Sequence, residues 1–162
     1  MLLTQQLLPA LGYSLELPIG WTVIVDTTSG SLRAFLAGAV SHREAGSSVE
    51  LGDADFSLSA ISLDTTLEEY ADARMKRHVP QGYPERFAAV VGDRAALGYT
   101  WTDGISDIAT WFVEPLPSVV VRIDHSIPSI APRERSGVDA RGEGAGLLAT
   151  LQWRLHANEM PI

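Results

Sequence analysis

Residues 94–125 read RAALGYTWTDGISDIATWFVEPLPSVVVRIDH, and this stretch decides the fold. Three apolar-rich runs, Arg94 to Thr102, Ile108 to Glu114 and Ser118 to His125, are separated by Asp103-Gly104 and by Pro115 to Pro117. An Asp-Gly pair between alternating runs gives the positive backbone angles that a tight hairpin needs, and the prolines close the second run, so the segment predicts an antiparallel meander. Leu97, Tyr99 and Trp101 share one face of the first strand, with Ala96, Gly98, Thr100 and Thr102 on the other. Ala109, Trp111 and Val113 share a face of the second. At least one side of such a sheet must be covered. A shorter strand at Arg86 to Val91, with Gly92-Asp93 as its turn, extends the meander upstream.

Further upstream the period changes. Thr65 and Thr66 each precede a glutamate by three residues, Glu68 and Glu69, which is capping-box spacing. A helix therefore starts there, with Leu67, Tyr70, Ala71, Arg74 and Met75 on one face, Lys76, Arg77 and His78 toward its C-terminus, and Pro80 and Gly82 ending it. Before the helix, Phe56 to Leu63 and Leu32 to Val40 read as strands, joined by a polar loop from Ser41 to Ala54 that has room for a strand fragment at Val49 to Leu51. Tyr13 to Leu17 and Trp21 to Val25 form two more strands around a Pro18-Ile19-Gly20 turn. Met1 to Leu11 is apolar but lacks a basic start and is interrupted by polar residues and Pro9, so it is a poor signal peptide.

Downstream, Ile127 to Gly142 carries charge clusters, Pro128, Pro132 and Gly137 without a period, and reads as a long exposed loop. Glu143 to Leu155 places Leu148, Leu151 and Leu155 on one side of a closing amphipathic helix. Antiparallel strands with two separated helices indicate an α+β sandwich, an antiparallel sheet flanked by helices, in a single domain over residues 1–162.

Composition narrows the chemistry. The 162 residues hold 20 acidic and 12 basic side chains, a formal charge of −8, with no cysteine. No basic block exists to displace counterions from a phosphate backbone, so no nucleic-acid partner is expected. Thiolate nucleophiles, disulfides and cysteine metal sites are excluded outright. No apolar run approaches the roughly 20 residues that span a bilayer, so no membrane insertion is expected and a cytoplasmic location is the default.

Enzyme motifs are missing too. The single lysine, Lys76, lies within the expected helix, which leaves no P-loop, and no G-x-S-x-G elbow occurs. Gly142-Glu143-Gly144-Ala145-Gly146 resembles a glycine loop but follows a polar loop instead of a strand, and reads as a flexible connection. Asp124 and His125 are adjacent on a strand and so point to opposite faces; His125 reads as a strand-end or surface histidine. Asp53 with Asp55, Asp103 with Asp107, and Asp124 with His125 are the candidates for a divalent cation, with solvated loop acids as the plainer reading. No catalytic residue, metal site or cofactor is assigned. The four tryptophans, Trp21, Trp101, Trp111 and Trp153, serve either as core or as partner anchors.

The segments LELPIGW, TTLEEYADARMKRHVPQGY, VVGDRAALGYTWTDG, ATWFVEPLPSVVVRIDHSIP and LLATLQWR, in that order and spacing from Tyr13 to Arg154, resemble the PsbP-like superfamily. Within it they are similar to the DcrB-like group that includes the Eag chaperones of type VI secretion effectors. The resemblance implies an antiparallel sheet flanked by helices and a non-enzymatic role as adaptor or chaperone. It also implies a homodimer that holds an apolar helical protein segment. The partner-binding surface expected on that basis carries Tyr99, Trp101, Trp111 and Val113. A protein that binds a small ligand or a divalent cation is the alternative.

Overall fold

The computed structural model of the chain describes residues 1–26, 28–36, 55–62, 64–78, 85–102, 106–128 and 140–155. In chain order the elements are β1 (Leu2–Leu8), β2 (Leu11–Glu16), β3 (Trp21–Val25), β4 (Leu32–Leu36), β5 (Asp55–Ser62), α1 (Leu67–Lys76), β6 (Glu85–Val91), β7 (Arg94–Thr102), β8 (Ser106–Leu116), β9 (Val119–Pro128), α2 (Ala140–Leu148) and β10 (Gln152–Leu155). They make an α+β fold of two antiparallel sheets. One has three strands in the order β1-β2-β10, the other seven in the order β3-β4-β5-β9-β8-β7-β6.

The meander forms as its turn residues require. Val91 pairs with Arg94, and both residues of the intervening turn have positive φ, 57° at Gly92 and 65° at Asp93, a conformation that glycine and aspartate tolerate. Thr66 caps α1, its side-chain oxygen accepting the Glu69 amide at 3.1 Å. Of the two threonines in capping position, the second starts the helix.

The seven-stranded sheet has two unlike faces. Its inner face carries Leu32, Ala34, Phe56, Leu58, Ala109, Trp111, Val113, Val121 and Ile123 and meets α2 and the smaller sheet in one large core. From the other side of that core come Leu11, Tyr13 and Leu15 of β2, which alternate inward, and Ala140, Gly144, Leu147 and Leu148, a single stripe of α2. A tie closes the two layers, because Trp153 of β10 donates from Nε1 to the Val91 carbonyl at 3.0 Å. The outer face is covered in part by α1, which packs Ala71, Tyr70 and Leu67 over Tyr99, Phe112 and Val120.

Two sequence expectations are corrected, and a third stretch, read only as a poor signal peptide, acquires a place in the fold. The stretch from Met1, apolar but broken by Gln5 and Gln6, is the edge strand β1, whose ladder runs from Leu2 opposite Glu16 to Leu8 opposite Leu11. Residues 143–155 do not form one helix: α2 ends at Leu148 and the chain turns into β10, where Trp153 lies opposite Tyr13. Alternation of Trp153 and Leu155 with Gln152 and Arg154 fits a strand as well as a helix, and the open edge of β2 decides the matter. The glycine run at 142–146 is helix, not a flexible connection, and at Gly144 the missing side chain lets α2 lie against Trp111 and His125. Of the loop expected over 127–142, Ile127 and Pro128 belong to β9 and residues 140–142 to α2; its remainder at 129–139, the expected loop at 41–54 with its strand fragment at 49–51, Asp103-Gly104, Pro80 and Gly82 lie outside the described residues. Among the described residues no helix is long and apolar enough to cross a membrane.

Candidate functional site

Antiparallel register lines up side chains of neighbouring strands into rows, and two rows on the outer face define the site. One row crosses β4, β5, β9 and β8 as Arg33, Ser57, Asp124 and Thr110, and continues to Tyr99 of β7. The next crosses β5, β9, β8 and β7 as Asp55, Ser126, Ile108 and Trp101. Apart from the buried Thr110 and Tyr99, the residues of these rows join Arg122 in lining a concavity of about 300 Å³. Pockets for small ligands begin near that size.

Its charges are paired and fixed. Arg33 donates to Asp55 from Nη2 at 2.6 Å and from Nε at 3.1 Å. Arg122 donates to Asp124 from Nε at 2.8 Å and from Nη2 at 3.3 Å. Fork-to-carboxylate contacts of this kind fix orientation as well as charge. Asp124 also accepts from the buried Thr110 hydroxyl at 2.6 Å, and that hydroxyl in turn accepts from Trp101 Nε1 at 3.1 Å. A chain of hydrogen bonds thus runs from Arg122 through Asp124 and Thr110 to the indole.

Behind Trp101 lies His78, just past the end of α1, with ring centroids 3.7 Å apart and planes parallel within 1°. Burial, together with the positive charge of Arg122, holds His78 below the ordinary imidazole value, with Asp124 opposing. Burial likewise pushes the Tyr99 phenol up to about 12. For Arg122, burial acts to lower the pKa, and the charge and hydrogen bonds of Asp124 outweigh it, so the guanidinium stays charged.

The expected aromatic surface is divided between two faces. Trp101 pairs with Ile108 and Trp111 with Gly98, so odd-numbered residues of β7 stand beside even-numbered residues of β8. Tyr99 and Trp101 consequently lie on the outer face, Trp111 and Val113 on the inner. Trp111 and Val113 are core, at 2% and 0% exposure, and Tyr99 is buried beneath α1. Trp101, half-buried, is the one of the four that reaches the concavity.

Asp124 and His125 do face opposite sides. His125 is not a surface residue: it is fully buried on the inner face, with Nε2 3.0 Å from Glu143 Oε1 of α2 and the Trp21 ring stacked over it. The alternative cation ligands do not converge either. Asp55 and Asp124 belong to separate arginine pairs, Asp107 is exposed, and Asp53 and Asp103 lie outside the described residues. Among the described residues no group of three potential ligands could hold a metal ion.

Arg33, Ser57, Thr110, Arg122, Ser126 and Glu143 were not among the residues picked out by the sequence. One signal existed. Arg122, Asp124 and Ser126 put polar groups at alternate positions of a strand rich in valine and isoleucine, which means one face of that strand is polar in the middle of the sheet.

No protein-family model matches the chain, and no curated protein matches it. Solved structures share the fold, among them two of distant sequence. One is a protein of Bacteroides thetaiotaomicron, with a TM-score of 0.51 and 14% identity, covering 92% of this chain and 47% of that one. The chain thus spans about half the length of the Bacteroides protein. The other is LpqN, involved in cell envelope biogenesis of Mycobacterium tuberculosis, with a TM-score of 0.56 and 11% identity, covering 90% of this chain and 85% of LpqN. Likeness at these identities is likeness of fold.

Proposed function

We propose that the protein is a non-catalytic binding module that holds a compact ligand in the concavity on the outer face of the seven-stranded sheet. The observation that carries this reading is a space of about 300 Å³ whose charged walls are already paired, Arg33 with Asp55 and Arg122 with Asp124. Each carboxylate there is engaged by an arginine, so neither is placed to take a proton from a substrate, as acid–base catalysis would require. A surface organised before the ligand arrives suits binding, because less ordering is left to do on association.

Capture of an apolar helical segment, the role implied by the PsbP-like resemblance, draws less support. Such a segment needs a broad apolar face, and Trp111 and Val113 are committed to the core. What remains open combines one indole and one isoleucine with serines and ion pairs.

The test is a thermal-shift and ligand-observed NMR screen of the purified chain against compact polar compounds and, separately, apolar helical peptides. Saturable binding of a compact compound that is weakened by Arg122→Ala supports the reading. Stoichiometric capture of an apolar peptide with no effect of Arg122→Ala sinks it. Light scattering on the same samples reads the oligomeric state.

A further inference from the structure

The side chains of the concavity also define the kind of ligand, and on the binding reading above we infer that the ligand is a neutral, polyhydroxylated ring of the saccharide class. Two arginines and two aspartates contribute no net charge. An anionic ligand meets Asp55 and Asp124 beside the guanidinium groups, and a cation meets Arg33 and Arg122 beside the carboxylates, so neither sign of charge gains a net attraction there. A neutral ligand leaves both ion pairs intact.

What stays available favours hydroxyl groups. Ser57 and Ser126 are diagonal neighbours on β5 and β9, since Ser57 lies opposite Asp124 and Ser126 opposite Asp55. Each hydroxyl can donate one hydrogen bond and accept two. Arg122 uses Nε and Nη2 on Asp124, which leaves Nη1 as a further donor. Sugar hydroxyls both donate and accept, as these groups do. The C–H side of a sugar ring needs an apolar wall, and Trp101 and Ile108, paired across β7 and β8, stand at the same end of the concavity. Trp101 is held by His78 behind it and by the hydrogen bond from Nε1 to Thr110, so its ring does not have to be ordered by the ligand.

The experiment is saturation-transfer NMR and calorimetry on the intact chain with glucose, galactose, mannose, N-acetylglucosamine, maltose and trehalose as probes. Glycine, betaine, inorganic phosphate and decanoate are run beside them. The expected result is saturable binding of at least one neutral sugar, weakened at least tenfold by Ser57→Ala combined with Ser126→Ala and by Trp101→Phe. The serine pair is the primary test, because both side chains are only half-buried and their removal should leave the fold in place, which circular dichroism checks. If a zwitterion, phosphate or the fatty acid binds instead and responds to the same substitutions, the saccharide class is wrong and the binding reading survives. If a sugar binds with no response to them, its site is elsewhere and the inference is overturned. If no probe and no compound of the wider screen binds the folded chain, both fail.

Discussion

Trp111 occupies the space that a side chain on Gly144 would need. A β-carbon at Gly144 would stand 2.9 Å from Trp111 Cζ3, closer still to Cη2, and 3.1 Å from His125 Cβ. The glycine lets α2 lie directly on β8 and β9, two of the strands that carry the site on their other face.

Replacing that glycine should therefore destabilise the fold although alanine is the better helix former. Gly144→Ala gains about 1 kcal/mol in helix propensity and loses about 1–3 kcal/mol in overpacking against a buried indole. Gly146, two residues on, has nothing within 4 Å of its would-be β-carbon. Gly146→Ala should raise stability by up to about 1 kcal/mol. Urea denaturation of the two variants, with opposite shifts of midpoint, checks the pair.

Asp124 binds Arg122 and satisfies the buried Thr110 hydroxyl. Asp124→Ala removes both contacts and should cost about 1–3 kcal/mol. Adding Thr110→Val to Asp124→Ala removes one group left unsatisfied and should cost less than the separate effects combined. A double-mutant cycle that gives plain additivity would show that the two side chains are not coupled.

Glu143 is the partner of a fully buried imidazole, and its own side chain is 24% exposed. Glu143→Ala leaves His125 Nε2 without that partner at a cost of about 1–3 kcal/mol, whereas Glu143→Gln keeps a hydrogen-bonding group in place and should cost less. Equal destabilisation by the two would mean that Glu143 acts through packing alone. Chemical denaturation near neutral pH distinguishes them.

His78 gives a pH dependence of known sign. Its folded pKa lies below the ordinary 6.5, through burial first and then the charge of Arg122, so the unfolded chain binds the proton more readily. Stability from this group is present above that ordinary value and is lost as pH falls through the lower, folded one. His78→Phe keeps a ring over Trp101 and removes the titration. Between about pH 7.5 and about pH 5.5 the urea midpoint of the natural chain should fall more than that of His78→Phe. Parallel slopes would show that His78 does not carry the effect.

The outer-face pairing of Trp101 with Ile108 shows how far local reading reaches. Alternation within β7 and within β8 was plain from the sequence, and so were the faces inside each strand. The relation between strands depends on the number of residues in the turn, where one residue more or less moves every side chain to the other side. The observed register sets Trp111 beside Gly98, and what looked like one aromatic surface becomes a core residue and a site residue. His125 was misjudged for a related reason. A polar residue near a strand end looks exposed until a helix 18 positions later in the chain brings Glu143 over it.

By itself the sequence determined the meander, the first helix and the fold class: alternation, the Gly92-Asp93 turn and the capping box at Thr65 and Thr66 act within a few residues, where backbone sterics and single hydrogen bonds decide. It also determined the absence of cysteine chemistry and the acidic charge. The tertiary structure alone decided the order β3-β4-β5-β9-β8-β7-β6, which face α2 covers, and therefore the meeting of Arg33, Ser57, Arg122, Asp124, Ser126 and Trp101. Those residues come from four strands spread over nearly a hundred positions of chain, and nothing in any one segment encodes their distance. Long-range pairing and a shared core set it, through the burial of apolar faces that have no preferred partner until the whole sheet is assembled.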